Sequence, residues 1–86
     1  QKSTRDLSLV TDKNLNYSTI KTQIQNLKID EVIQFYPIDI FDLGDKNSLT
    51  IRFILQNNEK SLTDDEINGI ISKVIEKLND LGVELR

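Results

Sequence analysis

Apolar and polar side chains alternate along two segments of the chain, and this is the pattern of a strand with one buried face. In the first, Arg5–Val10, Leu7 and Leu9 alternate with polar residues, and the polar stretch from Thr11 to Leu15 is expected to end the strand. The second, Ser48–Gln56, is the most regular, because apolar residues occupy alternate positions from Leu49 onward. Both segments are therefore predicted to be strands of a half-exposed sheet.

Two further strands are predicted on weaker patterns. The segment Val32–Leu43 is rich in β-branched and aromatic residues, and Pro37 within it cannot donate a ladder hydrogen bond, which points to an edge strand or a bulge. The run Gly44–Asn47 has the composition of a hairpin turn. Near the end of the chain, Val83 and Leu85 alternate with charged residues, so a short final strand is expected.

Two segments have helical periodicity instead. Tyr17–Leu27 has apolar residues at helical spacing, and Asn16 or Ser18 is a candidate cap. The second helix has a clear start, since Thr63 followed by Glu66 forms a capping box. Its apolar stripe consists of Ile67, Ile70, Ile71, Val74, Leu78 and Leu81.

The end and the middle of the second helix contain glycine. Gly82 follows the apolar stripe at the position where a left-handed residue commonly ends a helix, and Val83 is placed to touch Leu78. Gly69 lies in the helix interior, where it either allows close packing or is merely tolerated.

The predicted order is strand, helix, strand, strand, helix, strand, which is the split βαβ or ferredoxin-like arrangement. Right-handed crossovers place both helices on one face of a four-stranded antiparallel sheet and leave the other face open. The predicted fold class is therefore α+β, a two-layer βαββαβ sandwich in one domain over residues 1–86.

Composition narrows the function classes. The chain has 86 residues, no Cys and no His, which removes thiolate nucleophiles, imidazole bases, disulfides and the usual zinc ligands. Its net charge of -3 argues against broad, salt-driven attachment to phosphates. No segment has the length of a membrane span or the shape of a signal peptide, so we expect a cytoplasmic protein, and the start at Gln1 suggests a fragment of a longer chain.

Groups that could carry enzymatic chemistry are few. Asp64, Asp65 and Glu66 could form an acid-base or metal cluster, but acidic residues are also expected in the first turn of a helix, and we favour that interpretation. The glycines are scattered and form no phosphate-binding loop.

The open sheet face has a more informative set of residues. If Ile38 and Ile40 point to the helices, Asp39 and Phe41 point away. The outward residues of the most regular strand are then Ser48, Thr50 and Arg52. An aromatic ring beside a carboxylate, hydroxyls and a guanidinium could stack on one splayed-out base while the polar groups read its edge.

A plainer interpretation of the same residues is that Phe41 tucks under the turn as a core satellite. Asp39 and Arg52 would then form a surface ion pair. Residue types alone favour this second interpretation.

Several segments in order closely resemble the C-terminal ferredoxin-fold anticodon-binding domain of bacterial phenylalanine tRNA ligase beta subunits. The clearest are Ser48–Gln56, Lys60–Ile67 and Leu81–Arg86. Arg5–Val10 resembles that domain's opening strand, and Ile38–Leu43 resembles its aspartate-containing second strand. Together these segments span nearly the whole chain.

The resemblance implies an RRM-like domain that contacts the anticodon of phenylalanine tRNA, whose first base is guanine. By similarity, Asp39 and Ser48 read the guanine edge and Phe41 stacks on the base. Ser8 matches a small residue beside the same base, and Arg52 belongs to the same outward-facing set.

The resemblance also implies properties of a parent enzyme. That enzyme would use ATP, magnesium and phenylalanine. It would be a heterotetramer that contains an alpha subunit and the rest of the beta subunit. This domain would have no catalytic activity and no cofactor of its own. An alternative function is a ferredoxin-like regulatory or interaction module that binds a small ligand or pairs a sheet edge with a partner. A carboxylate-based hydrolase has only the acidic residue count in its favour.

Overall fold

The computed structural model describes residues 1–86, and its elements follow the predicted order. The strands and helices are β1 (Ser3–Asp12), α1 (Tyr17–Asn26), β2 (Val32–Asp42), β3 (Lys46–Leu55), α2 (Asp64–Asn79) and β4 (Glu84–Leu85). The sheet order is β2-β3-β1-β4 and every pairing is antiparallel. This is the ferredoxin-like α+β fold, so the predicted fold class is confirmed. Neither helix has the length and apolar character that crossing a membrane requires.

The hydrophobic core lies between the helices and one face of the sheet. The sheet side of the core is formed mainly by β1 and β3. Their buried residues pair across the two strands, with Leu7 opposite Ile51 and Leu9 opposite Leu49. The ring of Phe53 is fully buried and stacks on Phe35 of β2 at a centroid distance of 5.7 Å. The helices contribute Ile20, Ile24, Ile67, Ile70, Ile71, Val74 and Leu78.

Local sequence signals set both ends of α2, as predicted. The Thr63 hydroxyl accepts a hydrogen bond from the Glu66 N–H at 3.2 Å, and the Glu66 carboxylate accepts one from the Thr63 N–H at 3.0 Å. At the other end Gly82 has φ of 82°, and the Val83 N–H donates to the Leu78 carbonyl at 3.0 Å. This pattern satisfies carbonyls that the last helical turn would otherwise leave unpaired.

Strand β1 and the first hairpin differ from the prediction. Thr11 does not end β1: it is buried at 3% exposure, and pairing continues to Asp12, which forms an ion pair with Lys46. Lys46 and Asn47 belong to β3 and not to the turn, because the Leu43 N–H closes the turn by donating to the Lys46 carbonyl at 2.8 Å. Cross-strand pairing therefore outweighs the polar composition of these segments.

On strand β2, Ile38 and Ile40 were expected to point to the helices, but neither is buried in the core. Ile38 lies at a bulge between Pro37 and Asp39 and is 41% exposed. Ile40 lies opposite Leu49, on the helix side, yet it is 61% exposed. The reason is that β2 is an edge strand and the core is centred over β3 and β1. The prediction of an edge strand or bulge at Pro37 is confirmed.

Three smaller features complete the fold. Asn16 is the N-cap residue of α1, but its side chain makes no capping hydrogen bond. A Cβ added at Gly69 would meet nothing within 4 Å, so this glycine is tolerated and does not serve close packing. Strand β4 is limited to Glu84–Leu85, with Arg86 extending the alignment through a 2.8 Å hydrogen bond from its N–H to the Ser8 carbonyl.

Candidate nucleic-acid interface

The face of the sheet away from the helices is called the open face here. The strand register arranges its central side chains in three rows that run from β2 across β3 to β1. The rows are Phe41, Ser48 and Val10; Asp39, Thr50 and Ser8; and Tyr36, Arg52 and Asp6. The residues singled out from the sequence thus lie on one face, in adjacent rows.

Phe41 is exposed and is not a core satellite. Its side chain is on the open face opposite Ser48, with 53% of the residue exposed. Asp39 is two residues earlier on the same strand and is also exposed, so the ring and the carboxylate share one side of β2. The interpretation in which Phe41 tucks under the turn is wrong.

Arg52 forms its ion pair with Asp6 and not with Asp39. Its Nε and Nη2 donate to the two carboxylate oxygens of Asp6 at 2.9 and 3.1 Å, in the two-bonded geometry that suits a guanidinium. The hydrogen bond from Arg52 lowers the pKa of Asp6, and the same bond raises the pKa of Arg52. The predicted Asp39–Arg52 pair is therefore wrong, and the carboxylate of Asp39 has no ion-pair partner.

The middle row is polar. The hydroxyls of Ser8 and Thr50 lie 3.1 Å apart, so either one donates to the other across β1 and β3. The row thus continues from Asp39 on the edge strand to two small side chains on the two central strands. The row next to that of Phe41 therefore consists of one carboxylate and two small hydroxyl side chains.

Ser48 is on the open face but is 1% exposed, which the sequence did not predict. Its hydroxyl accepts a hydrogen bond from Nη1 of Arg86 at 2.9 Å. The side chain of Arg86 thus crosses β1 to reach β3. No role was predicted for Arg86, although its alternation with Leu85 in the final strand could have placed it on this face.

The loop next to Phe41 is held by charged contacts. Asp42 forms an ion pair with Lys13 and accepts a hydrogen bond from the Gly44 N–H at 2.7 Å. The hydrogen bond from Lys13 and then that from Gly44 lower the pKa of Asp42. Gly44 has φ of 98°, a conformation that favours glycine.

The acidic residues of α2 serve the helix start. Glu66 takes part in the capping box and accepts from Lys60 Nζ at 2.5 Å; the hydrogen bond from Lys60 is the main cause that lowers the pKa of Glu66 to about 2. Asp64 forms an ion pair with Arg5, with 3.6 Å between Oδ1 and Nη2. No three acidic side chains come together as a metal site.

Fold and face together define an open-faced ferredoxin-like module with an exposed aromatic ring and a free carboxylate on its edge strand β2. Comparison with protein families agrees with this class. The family described as the ferredoxin-fold anticodon binding domain matches residues 1–86, and the chain belongs to that family.

Curated relatives are phenylalanine--tRNA ligase beta subunits. The chain is 39% identical over 90 residues to that of Sulfurimonas denitrificans, with all of this chain and 12% of the relative covered. It is 35% identical over 77 residues to that of Helicobacter pylori, with 88% and 10% covered, and 34% identical over 86 residues to that of Campylobacter jejuni, with 96% and 11% covered. The chain spans about a tenth of the length of these relatives.

Proposed function

We propose that this chain binds the anticodon of phenylalanine tRNA on its open face. The observation that carries the proposal is the exposed Phe41 ring beside the unpaired Asp39 carboxylate, in a chain of the anticodon-binding family. A ring of this kind stacks on a base, and a carboxylate accepts hydrogen bonds from the imino and amino groups of guanine, the first base of that anticodon. The base would be read at its edge while its face is covered.

The other open-face residues have supporting roles in this proposal. Ser8, bonded to Thr50, lies in the same row as Asp39 and would border the base. Arg52 uses two of its N–H groups on Asp6, so its remaining donors would reach a nearby phosphate rather than the base edge. Ser48 belongs to the first row, next to Phe41.

The longer protein would be a phenylalanine tRNA ligase, of which residues 1–86 form one domain. The relatives, which are phenylalanine--tRNA ligase beta subunits, support this part of the proposal. Ligation with ATP, magnesium and phenylalanine, the alpha subunit in a heterotetramer and the cytoplasmic location would belong to that whole enzyme. The residues present here do not fit a magnesium nucleotide, because the chain has no glycine-rich phosphate loop and its acidic cluster is taken up by the helix start. Its contribution would be binding alone.

A titration of isotope-labelled protein with two tRNAs tests the proposal. One is transcribed phenylalanine tRNA and the other differs only in the first anticodon base. At low salt, we expect NMR shifts at Asp39, Phe41 and the residues around Ser48 with the native tRNA and much smaller ones with the altered tRNA. Equal shifts with both would contradict base reading, and no shifts would contradict anticodon binding by this chain.

The second candidate function, a ligand-binding or interaction module, has one feature in its favour. A groove of about 380 Å³ lies between α1 and β2, lined by Ile24, Ile29, Ile33 and Phe35 with Lys21 and Lys28 beside them. Pairing through the edge of β2 is disfavoured, because bulges interrupt the strand at Ile33 and Ile38. An amino acid that raises the melting temperature of the domain and shifts groove residues, but not Phe41, would favour this function.

A further inference from the structure

Arg86 occupies the position on the open face where the Ser48 hydroxyl would otherwise meet a ligand. Ser48 is 1% exposed, and Nη1 of Arg86 is 2.9 Å from its oxygen. A base resting on Phe41, directly across the strand pair from Ser48, would meet the guanidinium before it could meet the hydroxyl. The group available for contact at this point is therefore a cation with several donors.

The backbone of Arg86 is anchored as firmly as its side chain. Its N–H donates to the Ser8 carbonyl at 2.8 Å, directly after the β4 residues that pair with Leu9 and Val10. Neighbouring strands lie about 4.8 Å apart, so an arginine side chain starting beside β1 has the length to cross it and reach β3. Ser48 then holds the guanidinium through one of its N–H groups.

The two arginines of the open face differ in the donors that they leave free. Arg52 uses two N–H groups on both oxygens of Asp6. Arg86 forms no ion pair and uses one side-chain N–H on a neutral hydroxyl. Since a guanidinium carries five N–H donors in a fixed plane, Arg86 keeps most of its donors for a ligand.

An acceptor along the strand from the aromatic ring and donors across from the ring match guanine better than adenine. Guanine presents O6 and N7 as acceptors and N1–H and the amino group as donors, whereas adenine has an amino donor in place of O6. The Asp39 carboxylate can accept from N1–H and the amino group, and the Arg86 guanidinium can donate to O6 and N7. Arginine paired with O6 and N7 is also the commonest specific contact to guanine in nucleic-acid complexes.

We infer that Arg86 is a guanine-contacting residue of this site and that Ser48 is a positioning residue that acts on the base through Arg86. This inference rests on the proposed function, since it requires a base on Phe41. It changes the role of Ser48 from a direct reader of the base, as implied by the resemblance, to the acceptor that fixes a cationic donor.

A double-mutant cycle tests the inference. The variants are Ser48→Ala, Arg86→Gln and the two combined, and the probe is a synthetic RNA hairpin with guanine at the first anticodon position, compared with the same hairpin carrying adenine there. The measured quantity is the ratio of the two dissociation constants, obtained by NMR titration at low salt. We expect Arg86→Gln to lower the guanine preference by roughly tenfold or more. The combined variant should be no worse than Arg86→Gln alone, because Ser48 has nothing left to position.

Two results would overturn the inference. One is an unchanged guanine preference in Arg86→Gln. The other is a further loss of preference when Ser48→Ala is added to Arg86→Gln, which would mean that the hydroxyl contacts the base itself and that Arg86 only covers it.

Two controls separate this inference from the function on which it rests. Arg5→Gln removes the same charge on the other side of the sheet, where Arg5 pairs in register with the buried Phe53, and should leave the preference unchanged. Phe41→Ala should weaken both hairpins. If Phe41→Ala weakens binding while Arg86→Gln keeps the preference for guanine, only the role of Arg86 is wrong. If the wild-type chain shows no preference for guanine, both the proposed function and the inference are wrong. The unfolding midpoint of each variant is measured to check that the variant keeps the fold.

Discussion

The two faces of the sheet differ in composition: the helix side packs in the core, and the open face presents side chains to solvent. On the helix side, Leu9, Ile51 and Phe53 are each 1% exposed or less, and they pack in the core. On the open face, Phe41 stands exposed among charged and hydroxyl side chains. The same strands carry both sets in alternation, so a binding surface can change without loss of the core. Stability and binding should therefore respond to different substitutions on the same strand pair.

The largest expected effect is on the helix side. Replacing Phe53 by Ala removes a fully buried ring that stacks on Phe35, and should lower the free energy of unfolding by about 3–5 kcal/mol. Urea denaturation followed by circular dichroism measures it. A loss below about 1 kcal/mol would mean that Phe53 is not part of a tightly packed core.

The matching change on the open face is Phe41→Ala. Because the ring is exposed, the free energy of unfolding should change by no more than about 0.5 kcal/mol. Affinity for phenylalanine tRNA should fall by roughly 1–3 kcal/mol, the contribution of one stacked base. If affinity stayed the same, in this chain and in the longer enzyme, the stacking role would be wrong and the two faces would not be functionally distinct.

Glycine substitutions sharpen the comparison without touching either face of the sheet. Gly69→Ala should stabilise the fold by up to about 1 kcal/mol, because the added methyl group meets nothing and alanine favours the helix. Gly82→Ala should destabilise it by roughly 1–2 kcal/mol, because φ of 82° is unfavourable for a residue with a Cβ. Thermal unfolding of the two variants checks both signs, and neither should alter RNA binding.

The smallest expected effect concerns the open-face ion pair. The hydrogen bond from Arg52 lowers the pKa of Asp6, so the pair stabilises the fold above the unfolded pKa of about 3.9, and this contribution is lost as pH falls through the lower folded value. Because both side chains are partly exposed, Asp6→Asn should cost roughly 0–1 kcal/mol at pH 7, and this cost should shrink as pH falls through the folded pKa of Asp6. The difference in unfolding free energy between wild type and Asp6→Asn should also shrink in about 1 M salt. A cost that persisted at low pH would point to packing rather than charge.

Local patterns in the sequence are enough to predict most of the fold. The alternation in β1 and β3 and the stripe of α2 up to Leu78 correspond to the buried residues, and the capping box of Thr63 and Glu66 marks the start of α2. Leu81, the last residue of the predicted stripe, lies beyond the helix and is half-buried. These signals are short-range, since they depend on residues within one or two turns or on one strand. The boundary errors at Thr11 and Lys46 arose where pairing between strands extends beyond the apolar pattern.

Prediction of the site was less complete, for a related reason. Asp39, Phe41 and Ser8 could be placed on the open face because the direction of a side chain follows from alternation along its own strand. Which partner Arg52 selects could not be predicted, because Asp6 lies across a strand pair and 46 residues away in sequence.

The sequence by itself thus determined the order of elements, the face on which most strand residues lie and the absence of thiolate and imidazole chemistry. Only the tertiary structure decided which open-face groups a ligand can reach. Ile38 and Ile40 are exposed because β2 lies at the sheet edge, and Ser48 is covered because β4 brings Arg86 beside β1. Such contacts depend on strand order and lateral register, which bring together residues far apart in the chain, and no local pattern encodes them.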